Sequence, residues 1–206
     1  MHTLRPFVSV LAAGVLSVLV SSVTTSTLAA PITYRAVLDG ASEFPANASP
    51  GTGIAEVTYD DLLHTLEVDV TFSGLLGTTT ASHIHCCTAN PNDTSLNAGV
   101  ATQTPTFSGF PLGVTAGSYF SVFDLTLASS WNPAYITNNG GTVASAEAAF
   151  AAGLAAERAY FNIHTSQFAP GEIRGFLQQV PEPATLALLG LGLAGIGAMR
   201  RRKQAV

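Results

Sequence analysis

Residues 65–72 read Thr-Leu-Glu-Val-Asp-Val-Thr-Phe, a strict alternation over eight positions that fixes an extended strand with one wet face. Leu66, Val68, Val70 and Phe72 are expected inside, and Thr65, Glu67, Asp69 and Thr71 outside. The same period places Ile32, Tyr34, Ala36 and Leu38 on one face of a first strand, and Ala55, Val57 and Tyr59 on one face of a second. Asp60-Asp61 then turns the second strand into the third, as an antiparallel hairpin. Alternation restarts at 119–127, which Trp131-Asn132-Pro133 closes. Two further strands read at 160–165 and 172–177, on either side of a Pro170-Gly171 turn. Between these strands lies a long polar stretch, 88–117, in which Phe107, Phe110 and Leu112 suggest local packing. Val143, Glu147, Phe150 and Leu154 recur at helical spacing, so one short inserted helix is expected over 143–156, capped by Thr142 and weakened at Gly153. Seven or so short strands and one helix predict a mainly β, antiparallel sandwich. A small barrel is the competing arrangement, and the pattern does not separate the two.

The ends of the chain follow other rules. Residues 1–30 carry Arg5, an apolar run from Phe7 to Val20 and the small-residue end Ser26-Thr27-Leu28-Ala29-Ala30, the layout of an N-terminal secretory signal peptide. An uncleaved membrane anchor is the alternative. At 180–206, Val180-Pro181-Glu182-Pro183 precedes an apolar run from Ala184 to Met199 and the cluster Arg200-Arg201-Arg202-Lys203. Sixteen helical residues span about 24 Å, a marginal C-terminal transmembrane helix whose cations would stay in the cytoplasm and leave the preceding domain outside. Pro-Glu-Pro, short helix and basic tail together resemble the PEP-CTERM sorting signal of Gram-negative bacteria. That resemblance implies an exosortase-type sorting protease as partner and a membrane-anchored intermediate. It also implies delivery to the cell surface or extracellular matrix, among exopolysaccharide or matrix proteins.

Residues 31–179 remain as one domain. Three arginines there face twelve acids, a net charge of −9, which disfavours binding to nucleic acid through charge.

Ser82-His83-Ile84-His85-Cys86-Cys87 is the stretch with most chemistry in it. Alternation aims His83 and His85 at one place and Ile84 away from it. In the run Tyr160-Phe161-Asn162-Ile163-His164-Thr165, one face carries Tyr160, Asn162 and His164. Neutral imidazole is the commonest ligand for zinc and copper, and three converging histidines suit either ion with an open position. The other reading has His83, His85 and His164 hydrogen-bonding strand ends and loops. Glu43, in its Pro-bounded loop, is a weaker candidate for the same site, and His64, beside a turn, reads as solvated.

Cys86 and Cys87, the only cysteines, admit a vicinal disulfide, thiolate ligation of a metal, copper(I) above all, or free and intermolecular thiols. Glu172 and Arg174, two apart on one strand face, read as surface or inter-strand pairs. No Ser-His-Asp order, phosphate-binding glycine loop or paired-carboxylate cleft stands out, and the chain reads as a non-enzyme.

Ala36-x-Leu38-x-Gly40-x-x-Glu43-x-Pro45, Gly51-Thr52-Gly53-x-Ala55, His83-Ile84-His85, and the 160–165 run with Pro170-Gly171-Glu172-Ile173-Arg174-Gly175 resemble the CHRD domain over residues 32–178. The resemblance implies an immunoglobulin-like antiparallel β-fold in an exported protein, without an established enzymatic activity. Cys86-Cys87 stands where the family commonly has glycine.

Overall fold

A computed structural model describes residues 30–181 and 189–196. Eight strands form within it: β1 (Ile32–Asp39), β2 (Thr52–Asp60), β3 (Thr65–Ser73), β4 (Thr79–His85), β5 (Gly117–Asp124), β6 (Tyr160–Thr165), β7 (Ile173–Phe176) and β8 (Gln178–Gln179). They belong to one antiparallel sheet in the order β4-β6-β7-β1-β2-β3-β5, with β8 pairing β1.

The fold is mainly β and antiparallel, as the alternation requires, but the strand pairing gives a single curled sheet rather than the two facing sheets of a sandwich. The curl brings strands that are distant in the order over a shared core. Phe107 shows the effect: its ring lies 5.1 Å from that of Phe123 on β5 and 5.9 Å from that of Phe161 on β6. A twisted sheet can thus bury one of its own faces without a second layer of strands.

The inward residues of the first three strands are the expected ones. Tyr34, Ala36 and Leu38, Ala55, Val57 and Tyr59, and Leu66, Val68, Val70 and Phe72 are all buried. Each large side chain among them contributes about 1.5–3 kcal/mol by leaving water. Every residue of β2 pairs with one of β3, from Thr52↔Ser73 to Asp60↔Thr65. In the segment between β4 and β5, Phe107 and Phe110 pack while Leu112, expected to do so, is exposed. Isolated bridges His85↔Val100 and Thr102↔Trp131 tie that segment to its surroundings.

Within residues 31–179 two α-helices form where one was expected. α1 (Pro133–Asn138) begins at what reads as a strand terminator: Asn132 caps it by accepting from the Ala134 N–H, and Pro133 occupies the first turn. That is the favoured place for a proline in a helix, because its missing N–H is not needed there. α2 (Val143–Ala155) has the expected Thr142 cap, reinforced by Ser145. Gly153 does not break it. The glycine is instead a close approach, since a Cβ there would collide with the sulfurs of both Cys86 and Cys87.

His64 is not simply solvated: its Nδ1 lies 2.9 Å from Glu147 Oε1, which also accepts from the Tyr59 hydroxyl at 3.1 Å. Hydrogen bonding to that carboxylate raises the His64 pKa. Nor are Glu172 and Arg174 surface partners. Both are fully buried and tie separate loops. Glu172 accepts from the Ser49 and Thr165 hydroxyls and the Leu76 and Gly77 N–H groups. The expected signal peptide and most of the C-terminal segment lie outside the described residues. Residues 189–196 are helical, and among the described residues no helix is long and apolar enough to cross a membrane.

Gly153→Ala is expected to destabilise the domain by roughly 1–3 kcal/mol in urea unfolding, because the added methyl overpacks α2 against the Cys86–Cys87 disulfide. Gly99→Ala, at a position with nothing within 4 Å, is expected to change stability by less than about 0.5 kcal/mol.

Candidate metal centre

The centre is built by the pairing of β4 with β6. In that register His83 stands opposite Asn162, His85 opposite Tyr160, and Ala81 opposite His164. Directly opposed residues share a face, with Cβ atoms about 4.5–5.5 Å apart, and diagonal neighbours remain within reach of long side chains. His164 is therefore diagonal to His83 on the same face. The three rings form a near-equilateral triangle, with centroids 5.8 Å apart for His83–His85, 5.2 Å for His83–His164 and 5.8 Å for His85–His164. One nitrogen from each lies within 4.8 Å of those of the other two. Ile84, on the other face of β4, is completely buried in the core, so the strand cannot rotate its histidines away without exposing it.

Each ring is held by a backbone carbonyl from a loop, two of them in the segment between β4 and β5 and the third in the β6–β7 turn. His83 Nε2 donates to Pro105 O at 2.6 Å, His85 Nδ1 to Ala98 O at 2.9 Å, and His164 Nδ1 to Ala169 O at 2.9 Å. A carbonyl can only accept, so these contacts fix the tautomers and leave the second nitrogen of each ring as a lone pair. Those second nitrogens, His83 Nδ1, His85 Nε2 and His164 Nε2, are buried and have no hydrogen-bond partner. Metal-bound histidines commonly have this same outer arrangement, the far N–H given to a carbonyl.

Electrostatics keeps the rings neutral. Burial lowers the His83 pKa to about 4, against the opposing effect of its bond to Pro105. It lowers His85 to about 3, helped by His164, His83 and Arg174. His164 is also lowered by burial, although the residue as a whole is only half-buried.

Around the triad sit residues that the alternation alone did not single out. His85 stacks on Tyr160, with ring planes 6° apart and centroids at 4.9 Å, and the Arg174 guanidinium lies 4.6 Å over the other ring of the stack. Arg174 donates to the carbonyls of Ser42, Leu96 and Thr94 and to Asn97 Oδ1, which fastens the 94–98 segment above the site. Tyr160 and Asn162 share the His164 face, and that shared face was the available signal for them. Arg174 gave no such signal, because its partners lie in loops. Glu43, the weaker candidate, is buried beside Arg174, with Oε2 3.9 Å from the guanidinium Nε. Burial raises its pKa to about 7, and Arg174 opposes that rise.

Among the described residues, six buried side-chain nitrogens and oxygens lack a hydrogen-bond partner. Three are the histidine nitrogens, and two more, Glu43 Oε1 and Asn162 Oδ1, come from the same neighbourhood. All five can accept, and none of them meets a protein donor. Cys86 and Cys87 are not part of it. They are bonded to each other, and Cys86 belongs to the hydrophobic core, on the side of β4 that carries Ile84.

The sequence matches the CHRD domain family over residues 34–177 and the PEP-CTERM protein-sorting motif over residues 179–203. No curated protein and no solved structure matches it. The chain belongs to the CHRD domain family, and its PEP-CTERM motif marks it as exported and sorted to the cell surface.

The lowered histidine pKa values set an acid limit on stability. From pH 6.5 downward the unfolded chain takes up protons that the buried rings refuse, so stability falls with pH through the window that ends near 4 to 3. Glu43 acts in the opposite sense, because between 4.5 and about 7 the folded state holds a proton that the unfolded chain releases. The urea midpoint of the metal-free protein is therefore expected to drop between pH 6.5 and 4, each ring contributing up to about 1.4 kcal/mol per pH unit. The drop should be shallower in His83→Gln/His85→Gln. An equal slope in that variant would place the acid sensitivity elsewhere.

Proposed function

We propose that this is an exported metal-binding domain that holds one copper or zinc ion through His83, His85 and His164 at the cell surface, without catalysing a reaction. The observation that supports this reading is the convergence of three buried, unpartnered imidazole nitrogens whose far N–H groups are already spent on carbonyls. Leaving such groups unpaired costs about 1–3 kcal/mol each, a penalty that a bound cation removes. At metal–nitrogen bonds of about 2.0–2.1 Å the three nitrogens would stand about 3.4 Å apart, so small ring rotations would complete the site. Neutral His83 and His85 also mean that above about pH 5 the ion displaces few protons from those two rings on binding. In the disulfide the cysteine sulfurs are not thiolates, and they contribute nothing to this ion.

The rest of the chain fits delivery of such a domain outward. In this reading 1–30 directs export, 31–179 is the metal-binding domain, and 180–206 anchors the chain in the membrane until an exosortase-type protease releases it.

Purified parent protein, stripped with a chelator and titrated, is expected to take up one equivalent of Cu or Zn measured by elemental analysis, whereas His83→Ala/His85→Ala takes up less than about a tenth of that. Absence of stoichiometric metal in the parent would sink the proposal. Deletion of 181–206 is expected to move the protein from the cell-surface fraction to the soluble extracytoplasmic fractions, and unchanged distribution on immunoblots would argue against sorting by this segment.

A further inference from the structure

The histidines account for three of the five unpartnered acceptors at the centre. The other two are oxygens, and their placement is specific. Asn162 lies between Tyr160 and His164 on one face of β6, directly opposite His83 on β4 and Arg174 on β7. It is buried, and its Oδ1 has no donor. Glu43 enters from the loop after β1. One of its carboxylate oxygens faces Arg174, and the other, Oε1, has no donor. The two oxygens meet at Gly171: a Cβ built there would come 2.6 Å from Asn162 Oδ1 and 2.6 Å from Glu43 Oε1. Gly171 has φ +143°, and it follows by two residues the Ala169 carbonyl that orients His164. The turn that aims one ring thus also leaves room beside two uncommitted oxygens.

We propose that Glu43 and Asn162 are the acceptor side of the metal centre and position a water molecule on the ion's fourth coordination site. The inference rests on the three-histidine reading above and adds to it the class of ion. A water bound to a divalent cation is a strengthened donor with two O–H groups, and the site offers two buried oxygens to receive them. An ion of that kind is Zn2+ or Cu2+. Copper(I), singly charged and drawn to soft ligands, gains little from such a water or from the oxygens behind it. Arg174 competes little for these oxygens, because four of its five N–H groups are engaged by Ser42, Leu96, Asn97 and Thr94. No bond other than coordination forms, and the water keeps both protons.

The test compares affinities of the full chain for Zn2+, Cu2+ and Cu+, the last under anaerobic conditions. Glu43→Gln is expected to weaken Zn2+ and Cu2+ binding roughly 10–100-fold, the usual effect of losing an outer-shell partner, while leaving Cu+ binding nearly unchanged. Asn162→Asp adds a carboxylate beside the bound water and is expected to tighten Zn2+ binding, a change of sign that a packing defect cannot produce. Metal-free thermal unfolding of each variant checks that it folds, and if Glu43→Gln folds poorly then Asn162→Asp decides alone. If the two side chains merely satisfy each other, Glu43→Gln leaves all three affinities alone and the inference is overturned. Equal weakening of Cu+ and Zn2+, or an Asn162→Asp protein no tighter than the parent for Zn2+, overturns it as well. A parent that binds none of the three ions removes the histidine reading itself, whereas a parent that binds and loses metal in His83→Ala/His85→Ala leaves that reading standing and isolates the failure to Glu43 and Asn162.

Discussion

The antiparallel register between β4 and β6 is the constraint on which the rest depends. Side chains on a strand alternate with a period of two, so a slip of one residue would send His83 and His85 into the core and Ile84 into the polar face. The apolar half of the pair resists that slip. Ile84, Phe161 and Ile163 are fully buried, and Ile84↔Phe161 is a direct pair of the ladder. Each such side chain contributes on the order of 1.5–3 kcal/mol by burial, more than a neutral hydrogen bond to a histidine contributes. The hydrophobic face therefore decides where the histidines go, and the histidines take the geometry they are given.

The loops refine that geometry and depend on buried charge to do so. Arg174 on β7 is fully buried, yet it is not left as an isolated ion, because its donors reach carbonyls at 42, 94 and 96 and the Asn97 amide oxygen, with Glu43 close by. A buried charge is tolerable when its hydrogen bonds are complete, and removing one partner of such a set costs more than the set itself contributes. The consequence for the site is indirect and specific. The 94–98 segment that Arg174 fastens ends in the Ala98 carbonyl that orients His85. Glu172 performs a similar office on the other side, bringing Ser49, Leu76, Gly77 and Thr165 to one carboxylate.

Local periodicity made the strands legible and could not make the sheet legible. β1, β2 and β3 bury the residues that alternation picks out, since each strand there has one wet face and one dry one. Which strand lies beside which depends on long-range contacts such as Phe107 with Phe123 and Phe161, and no short window contains those. For the same reason a curled single sheet and a two-sheet sandwich look alike in sequence. Asn132-Pro133 was legible in kind but ambiguous in use, because the dipeptide stops a strand and starts a helix equally well. The site divided along the same line. His83 and His85 share a face by simple parity and His164 joins them through the β4–β6 register, whereas Glu43 and Arg174 reach the site from a loop and a neighbouring strand. Glu172 and Arg174 misled for a physical reason: charged residues at a spacing of two suggest a solvated face, and only complete hydrogen bonding allows them to be buried.

β4 also separates two kinds of chemistry that lie next to each other in the chain. His85 and Cys86 are adjacent, and a metal site built on sequence proximity would include both. Alternation turns Cys86 away from the histidines, and the disulfide takes the Cys87 sulfur with it. The polar face of β4 carries the histidines, while the opposite face carries Ile84 and leads into Cys86, which with Cys87 sits against Gly153 of α2. Because a side chain at 153 would collide with both sulfurs, the glycine and the cysteine pair occupy one packing position between them. The disulfide is accordingly part of the contact between helix and sheet, and the soft ligands that could have competed for a metal are held on the far side of the strand from the imidazoles.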